Sequence, residues 1–471
     1  MRNENIILNY INKNKSIYIK LAKDIWKHPQ TGFKVDFASN LIKKHFENNN
    51  FHVKEIKKVP DSFIASWGKG RPIIGILGEY DALDGLSQEI TYMKKPIKKG
   101  APGHGCGHNL LGIAGVAAII AARNFIIQNN LGGTIRYYGC PAEEILSGKV
   151  VMAKEGLFDD LDSAISWHPK ELNTVWRSST NALNSFKINF YGKAAHAASS
   201  PETGLSALDG SILMDIGVNY LREHIIQQAR IHSVITEGGA VPNIVPDYSQ
   251  IWYYVRAPHR NQVEKIYRRV IDIAKGAALM SGTHFSIEFL AGCYDFMPNN
   301  VINEFILEQM KKLEPPHFSK KEKIFCKKIQ DTVNSITLKK QSKSFKVEKD
   351  NSNNIIIEKI IEHAKGFDNG EIRAGSTDLG DVSHIVPTGQ FAGCCFPIGI
   401  PNHTWQIVAL SGSSIGLKGM IFAAKVLALT TIGLLSKPEI LKKAHNEFFQ
   451  KTKGKEYLSP LPKDFALHKI I

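Results

Sequence analysis

Apolar residues in the first 180 positions follow two patterns, helical spacing and short continuous runs. The segments are helical 5–27, 35–48, 110–128 and 147–156, and strand-like 72–83, 134–140 and 163–168. Strands that are apolar along their whole length are typical of parallel sheets covered by helices on both faces. The alternation of the two patterns therefore predicts an α/β domain with a mostly parallel sheet.

Beyond about residue 180 the strand-like segments instead alternate apolar with polar residues, as half-exposed antiparallel strands do. In chain order the segments are strand 186–192, helix 204–224, strand 230–237, strand 248–258, helix 261–281 and strand 284–290. This β-α-β-β-α-β order predicts a ferredoxin-like unit. Inserted into an α/β domain, such a unit would form a lid or a dimerisation surface.

The whole chain of 471 residues is long enough for two domains. We expect 1–180 and 298–471 to form the two parts of a catalytic domain, with the inserted domain at 181–297. Within the last part, 311–353 is polar and lysine-rich with little periodicity, which indicates a surface excursion or flexible linker. The apolar segment 415–435 predicts a final core helix.

Composition and charge indicate a folded globular protein that does not bind nucleic acid. The chain is 43% hydrophobic and 22% charged, as a folded globular protein is. Its net charge of +15 comes from dispersed lysines without a zinc finger or aromatic platform, so we expect solvated lysines and no nucleic-acid partner.

The sequence also indicates the cellular compartment of the protein. The N-terminal residues lack the apolar centre of a secretory signal, and the apolar segment 420–435 is short for a bilayer and interrupted by Lys425. Six cysteines without a disulfide framework agree with a reducing compartment. We therefore predict a cytoplasmic protein without membrane contact.

Side chains that can bind a metal ion follow several predicted strands and one glycine-rich loop. The candidates are Asp81, Cys106, His108, Glu143, Glu144, His168 and His403. Each alone has a plainer explanation, such as a buried thiol beside a surface histidine, a solvated pair of glutamates or a hydrogen-bonded core histidine. Because ligands collect at the carboxyl ends of parallel strands, the combination predicts a metal-dependent hydrolase.

Hydrolysis of an amide at neutral pH needs an activated water, a polarised carbonyl and an acid for the leaving amine. A divalent metal ion supplies the first two, and a carboxylate that does not ligate the metal can carry the proton. Neighbouring residues at a strand end point in different directions, so one of Glu143 and Glu144 can ligate while the other transfers the proton.

The motifs resemble those of a known enzyme family. PGHGCGHN, GCPAEE, SWHP, GKAAHAA and PNHTW occur in the order typical of the M20 metallopeptidase and amidohydrolase family, in its aminoacylase-like branch with a cysteine ligand. Within it, GILGEYDALDGLSQ, VPNIVPD, WYYVRAP and GSTDLGDVS are most similar to the aminobenzoyl-glutamate hydrolase and dipeptidase-like group. The resemblance covers about 28–435 and implies a zinc-peptidase-like catalytic domain with an inserted lid.

The resemblance also implies a role for each candidate in the predicted metal site. The implied metal ligands are Cys106, His108, Glu144, His168 and His403. Glu143 would be the general base and acid, and Asp81 would orient the site without touching the metal. Five ligands with a bridging thiolate suit two metal ions, for which manganese or zinc is expected. Glu79 stands where many relatives outside this branch carry a histidine ligand.

Three residues of the inserted segment match further positions with roles in the family. His196 matches a histidine that stabilises the tetrahedral oxyanion, often across a dimer. Asn243 and Arg256 match positions that hold the substrate's carboxylate or backbone. A surface histidine and a solvated strand-end arginine are the plainer alternatives.

The implied function is a dimeric amidohydrolase that cleaves an amide between an acyl or aminoacyl group and an amino acid with a free carboxylate. The suggested substrate is p-aminobenzoyl-glutamate, a folate breakdown product. A metallodipeptidase or general N-acyl-amino-acid hydrolase is the alternative within the family, and a non-catalytic binding protein is the alternative outside it. The resemblance implies a homodimer and leaves open a second homologous subunit.

Overall fold

The computed structural model describes residues 4–338, 355–465 and 467, and the chain divides into two compact units. The first unit comprises Met1–Ser179, Met297–Glu371 and Val382–Tyr457, and the second comprises Thr180–Phe296, Ile372–Asp381 and Leu458–Ile471. The sequence pattern places 298–471 in one part, whereas the structure gives 372–381 and the described residues from 458 onward to the second unit. These segments make contacts there, such as the hydrogen bond of 3.0 Å from Tyr294 Oη to the Leu458 carbonyl.

A seven-stranded sheet forms the centre of the first unit. Its strands, numbered along the whole chain, are β1 (His52–Glu55), β2 (Phe63–Lys69), β3 (Ile73–Glu79), β4 (Gly133–Cys140), β5 (Ser163–Lys170), β6 (Thr174–Val175) and β13 (Thr388–Cys394). The order is β1-β2-β4-β3-β5-β13-β6. The four strands β4-β3-β5-β13 are parallel, and β1, β2 and β6 pair antiparallel. Since the parallel strands are almost wholly buried, they need continuous apolar runs, and the predicted mostly parallel α/β sheet is confirmed.

Helices build the rest of the first unit. They are α1 (Glu4–Lys27), α2 (Asp36–Glu47), α3 (His108–Asn129), α4 (Gly148–Lys154), α7 (Asn300–Lys311), α8 (Lys320–Gln330), α10 (Trp405–Gly412), α11 (Ser414–Ser436) and α12 (Pro438–Thr452). The helices α1, α3 and α11 pack against one another. By length and composition α3 and α11 could cross a bilayer, but 83% and 78% of their most apolar windows are buried inside the structure. This burial is typical of core helices.

Glycine lets α3 approach β3 closely. A Cβ atom at Gly112 would lie only 2.7 Å from the carbonyl oxygen of Glu79. Tyr137 Oη donates a hydrogen bond of 3.2 Å to the Gly112 carbonyl. The first turns of α3 are thereby held against the carboxyl end of β3.

The second unit has the predicted ferredoxin-like order. Its elements are β8 (Ala182–Tyr191), α5 (Ala207–Leu221), β9 (Arg230–Glu237), β10 (Tyr248–Ala257), α6 (Arg260–Ser281) and β11 (His284–Cys293), with short 3₁₀ helices at Pro201–Thr203 and Arg222–His224. The sheet is antiparallel throughout, in the order β11-β8-β10-β9. Buried residues such as Phe186, Ile251 and Val263 form the core with α5 and α6. Buried and more exposed residues alternate along β10, which explains its period-two pattern.

Three short elements lie where the chain passes from one unit to the other. They are β7 (Ser179–Thr180), β12 (Ile372–Arg373) and α9 (Leu379–Ser383).

Of the two alternatives for 311–353, a flexible linker is wrong for the part that helix α8 occupies, whereas a surface excursion agrees with the exposure of most described residues of the segment. Helix α8 begins with a capping box, in which Ser319 Oγ accepts from the Glu322 backbone and Glu322 accepts from the Ser319 backbone. Cys326 and Ile329 are the apolar residues that α8 buries. Residues 339–354 lie outside the described part of the chain.

Candidate metal centre

The carboxyl ends of three parallel strands carry acidic and histidine side chains. Glu79 is the last residue of β3 and Asp81 lies two residues further on. Glu143 and Glu144 come three and four residues after the end of β4, and His168 lies near the end of β5. Parallel strands end at the same edge of a sheet, so these side chains face one region.

Backbone geometry that favours glycine shapes the loop with Cys106 and His108. Gly107, between the two, has a φ of 83°, and a Cβ atom there would come within 3.2 Å of two neighbouring side chains. The backbone N–H of His403 donates a hydrogen bond of 3.1 Å to the Gly105 carbonyl. This bond ties the loop before α10 to the loop before α3.

Three groups of side chains hold donor atoms close enough to share a metal ion. They are Cys106/His108/His168, Cys106/Glu144/His403 and Glu79/His108/Glu143, with the donor atoms of each group within 4.8 Å of one another. Cys106 Sγ lies 3.4 Å from His168 Nε2, and His403 Nε2 lies 3.4 Å from Glu144 Oε2. The structure thus brings all five predicted ligands together, and the first two groups share the Cys106 sulphur.

Asp81 sets the orientation of the buried His108 ring. Asp81 Oδ1 lies 2.9 Å from His108 Nδ1, and Asp81 Oδ2 accepts a hydrogen bond of 2.9 Å from the Glu144 backbone. A carboxylate at Nδ1 favours the tautomer with the proton there, which leaves a lone pair on Nε2. His108 Nε2 faces Glu79 Oε2 at 3.2 Å without a hydrogen bond.

Burial sets the protonation of the donor atoms. Burial raises the pKa of the Cys106 thiol to about 12, and the Glu144 carboxylate adds to the rise. Burial also raises the pKa of Glu144 to about 7, against the lowering effect of His108. The pKa of His403, whose side chain is partly exposed, is lowered to about 4 by desolvation and by the positive charge of Lys170. A cation next to these donors would favour the thiolate and carboxylate, and His403 is already neutral as a ligand must be.

The donor set fits a divalent transition metal. One sulphur, three imidazoles and one carboxylate form a combination that suits zinc and related ions. Two buried donor atoms, His108 Nε2 and Glu144 Oε1, have no hydrogen-bond partner within the described ranges. Buried polar atoms are rarely left without a partner, so a bound cation would supply the interaction that each lacks.

In the second unit, the structure brings His196 and Asn243 together on exposed loops. Ala197 N donates a hydrogen bond of 3.0 Å to the Asn243 carbonyl, and His196 forms an isolated β-bridge with Ile244. His196 Nδ1 accepts from the backbone N–H groups two and three residues further on, each at 3.2 Å. Since Nδ1 accepts, Nε2 carries the proton and is a hydrogen-bond donor.

Arg256 lies near the end of β10 and is half-buried. Its Nη1 donates a hydrogen bond of 3.4 Å to Ser376 Oγ, and its Cζ lies 5.5 Å from the centre of the Tyr254 ring. Arg256 Nε has no hydrogen-bond partner in the part of the chain that the structure describes. A guanidinium can bind a carboxylate through two N–H groups at once.

Two features of the site were missed by sequence reasoning. Glu79 contributes a donor atom to the third group, and Lys149 Nζ lies 2.7 Å from Glu79 Oε1 with its side chain fully buried. The sequence carried a sign of this, because a lysine stands inside the apolar run GKVVMA just after the glutamate pair. His104, also near the motifs, is buried 3.3 Å from the Ile25 carbonyl and belongs to none of the three groups.

Comparisons with known proteins bear on both units. A family model described as a peptidase dimerisation domain, M20_dimer, matches residues 179–279. The chain is 39% identical over 468 residues to one of the subunits of p-aminobenzoyl-glutamate hydrolase of Escherichia coli (strain K12), covering 96% of each chain. It is 28% identical over 466 residues to Xaa-Arg dipeptidase of Homo sapiens, covering 93% of this chain and 90% of the relative.

Among solved structures, an aminobenzoyl-glutamate utilization protein from Klebsiella pneumoniae has the same fold. The TM-score is 0.60 at 14% identity, covering 90% of this chain and 97% of that chain. The similarity to the Escherichia coli relative extends over almost all of both chains, well beyond the dimerisation domain. The membership inferred from the motifs is therefore confirmed: this chain belongs to the M20 family of metallopeptidases and amidohydrolases, and it is a hydrolase of amide bonds.

Proposed function

We propose that this enzyme hydrolyses p-aminobenzoyl-glutamate to p-aminobenzoate and glutamate. The observation that carries the reaction is the pair of donor groups sharing Cys106, with Glu143 beside them. The name of the Escherichia coli relative, which matches nearly the whole chain, supports the substrate.

The proposed centre holds two metal ions, manganese or zinc. The residues that would bind them are Cys106, His108, Glu144, His168 and His403. Bound ions would supply Lewis-acid activation of water and of the amide carbonyl. Asp81 is a positioning residue, since it contacts the His108 ring and the Glu144 backbone.

Glu143 is the proposed general base and acid. Its Oε2 lies 3.9 Å from His108 Nε2, and its side chain is more exposed than that of Glu144. Glu143 therefore stands beside the ligands with better access to water, while Glu144 Oε2 faces His403. Glu143 would take a proton from the attacking water and deliver it to the amide nitrogen as the C–N bond breaks.

The proposed substrate contacts belong to the second unit. His196 Nε2 would donate to the carbonyl oxygen as negative charge develops on it, with the histidine supplied across the dimer. Asn243, hydrogen-bonded beside His196, and Arg256, through its guanidinium, would hold the glutamate moiety.

We further propose a homodimer that forms through the second unit. The matching family model describes a dimerisation domain. Strand β9 is an edge of its sheet and exposes Val234 and Ile235, as a strand that pairs with another chain would. Because the Escherichia coli relative is one of several subunits by its name, a second homologous chain is the alternative partner.

A cytoplasmic location is proposed from the cysteines. All six are buried and free of disulfides, which suits a reducing compartment.

A metallodipeptidase is the second candidate function, because Xaa-Arg dipeptidase is similar over most of the chain. Both reactions cleave an amide to an amino acid with a free carboxylate, so the acyl side of the substrate separates them. A substrate panel containing p-aminobenzoyl-glutamate, dipeptides with C-terminal arginine and acetylated amino acids therefore decides between them.

The test is hydrolysis of this panel by the purified chain with manganese or zinc, comparing wild type with Glu143→Gln. We expect glutamate release by wild type, and a loss of about 100- to 10,000-fold in rate in Glu143→Gln with unchanged metal content. Cleavage of dipeptides alone would contradict the substrate and favour the second candidate. Equal rates for the two proteins would contradict the role of Glu143.

A further inference from the structure

Lys149 is a buried lysine beside the third donor group, Glu79/His108/Glu143. Its Nζ lies 2.7 Å from Glu79 Oε1. The other carboxylate oxygen, Glu79 Oε2, lies 3.2 Å from His108 Nε2. Glu79 thus connects an ammonium group on one side to a proposed metal ligand on the other.

The separation between Glu79 Oε2 and His108 Nε2 is that of two ligands of one ion. Nitrogen and oxygen ligands lie about 2.0–2.2 Å from zinc, so neighbouring ligand atoms are roughly 3–3.5 Å apart. A carboxylate at this place without another counter-charge would coordinate the ion that His108 binds. Lys149 competes for the same carboxylate with a full positive charge.

The local fold fixes the position of this lysine. A Cβ atom at Gly148 would lie 1.7 Å from the Pro141 carbonyl oxygen, so the turn that starts α4 needs glycine. Residues Gly148 to Ala153 of α4 are all buried, which holds Lys149 at the strand ends. Lysine is rarely buried unless it is paired, so the contact with Glu79 is a specific feature of the site.

We propose that Lys149 is a positioning residue that keeps the Glu79 carboxylate from coordinating the metal and so leaves a coordination position for water and substrate. Catalytic metal sites differ from structural ones by such a position. The inference rests on the proposed metal-dependent function. Without Lys149, Glu79 becomes an additional ligand of the metal ion. The site then binds the ion more tightly, and the Glu79 carboxylate occupies the coordination position of water and substrate.

Cobalt(II) is the probe for the test, because its visible absorption weakens as the number of its ligands rises. We expect Lys149→Met to bind cobalt about 10- to 100-fold more tightly than wild type, with weaker visible absorption, because the ion gains a charged ligand. The double variant Glu79→Gln/Lys149→Met lacks the additional carboxylate and should return to the wild-type spectrum. Lys425→Met, which removes a half-buried lysine of α11, is the matched control and should leave affinity and spectrum unchanged.

If Lys149 served only as a structural counter-charge, Lys149→Met would not bind cobalt more tightly than wild type. Weaker cobalt binding or a wild-type spectrum in Lys149→Met would overturn the proposal. If Lys149→Met unfolds without metal, cobalt should restore its folding in a thermal melt, because the ion replaces the missing charge. Failure of both Lys149→Met and Lys149→Gln to fold with cobalt would also overturn it. A wild-type chain that binds no cobalt contradicts the proposed function instead.

Discussion

The proposed metal ligands of the first unit and the proposed substrate contacts of the second differ in how firmly the fold holds them. In the first unit His108 and Asp81 are fully buried and joined by a contact of 2.9 Å. In the second unit His196 and Asn243 are exposed, and backbone hydrogen bonds hold their loops. Most of the first set is ordered by burial within its own unit, with His403 as the exposed exception, whereas the second set offers donors to molecules outside it. Substitutions should therefore affect metal content in the first unit and kinetics alone in the second.

The largest expected effect is that of Cys106→Ala in the first unit. The first two donor groups, Cys106/His108/His168 and Cys106/Glu144/His403, share the Cys106 sulphur. We therefore expect the variant to lose metal and its hydrolytic rate to fall to background. Elemental analysis after dialysis and a rate assay measure the two effects. Cys140→Ala, which alters a buried cysteine outside the three groups, is the control. Full metal content with normal rates in Cys106→Ala would contradict the role of Cys106 as a metal ligand and with it the difference between the two units.

A smaller effect, confined to kinetics, is expected for His196→Ala in the second unit. The loss of one donor to the developing oxyanion should lower kcat by about 100- to 1,000-fold. Metal content and melting temperature should not change, because the side chain is exposed. His224→Ala, which alters another exposed histidine of this unit, should match wild type. A loss of metal in His196→Ala would show that the two sets are not separate.

The smallest of the three effects is expected for Arg256→Met, and it should depend on the substrate. We expect kcat/KM to fall by about 10- to 100-fold for substrates with a free carboxylate, because a charged hydrogen bond is lost. For the same substrate with the carboxylate converted to an amide, wild type and variant should be equally slow. An equal loss on both substrates would assign Arg256 to the fold rather than to carboxylate binding.

Within the proposed metal centre, Glu144 and His168 could be placed from the sequence because they lie at the ends of buried parallel strands, whereas Cys106, His108 and His403 were indicated by the motifs that resemble those of the family. The continuous apolar run before Glu79 and Asp81 is visible in the sequence, and the geometry of parallel sheets then brings strand ends together. The period-two pattern of β10 similarly reveals its two faces. Local periodicity is enough wherever one face of an element packs against the core.

Other features depend on contacts between distant positions and could not be predicted. The pairing of Lys149 with Glu79 joins residues far apart in sequence, and neither residue type indicates the other. The assignment of 372–381 to the second unit likewise rests on long-range hydrogen bonds, such as that from Asn181 N to the Gly375 carbonyl. Helix α8 could have been found, because Ser319 and Glu322 form the Ser-x-x-Glu signature of a helix start.

The packing of α3 against α11 has a consequence for synthesis of the protein. These apolar helices are neighbours in the core but are separated by almost three hundred residues in the chain. During translation α3 leaves the ribosome long before α11, so the growing chain exposes a segment as apolar as a membrane helix. We expect the nascent protein to depend on a chaperone until residues 414–436 have emerged, and truncations before them to aggregate.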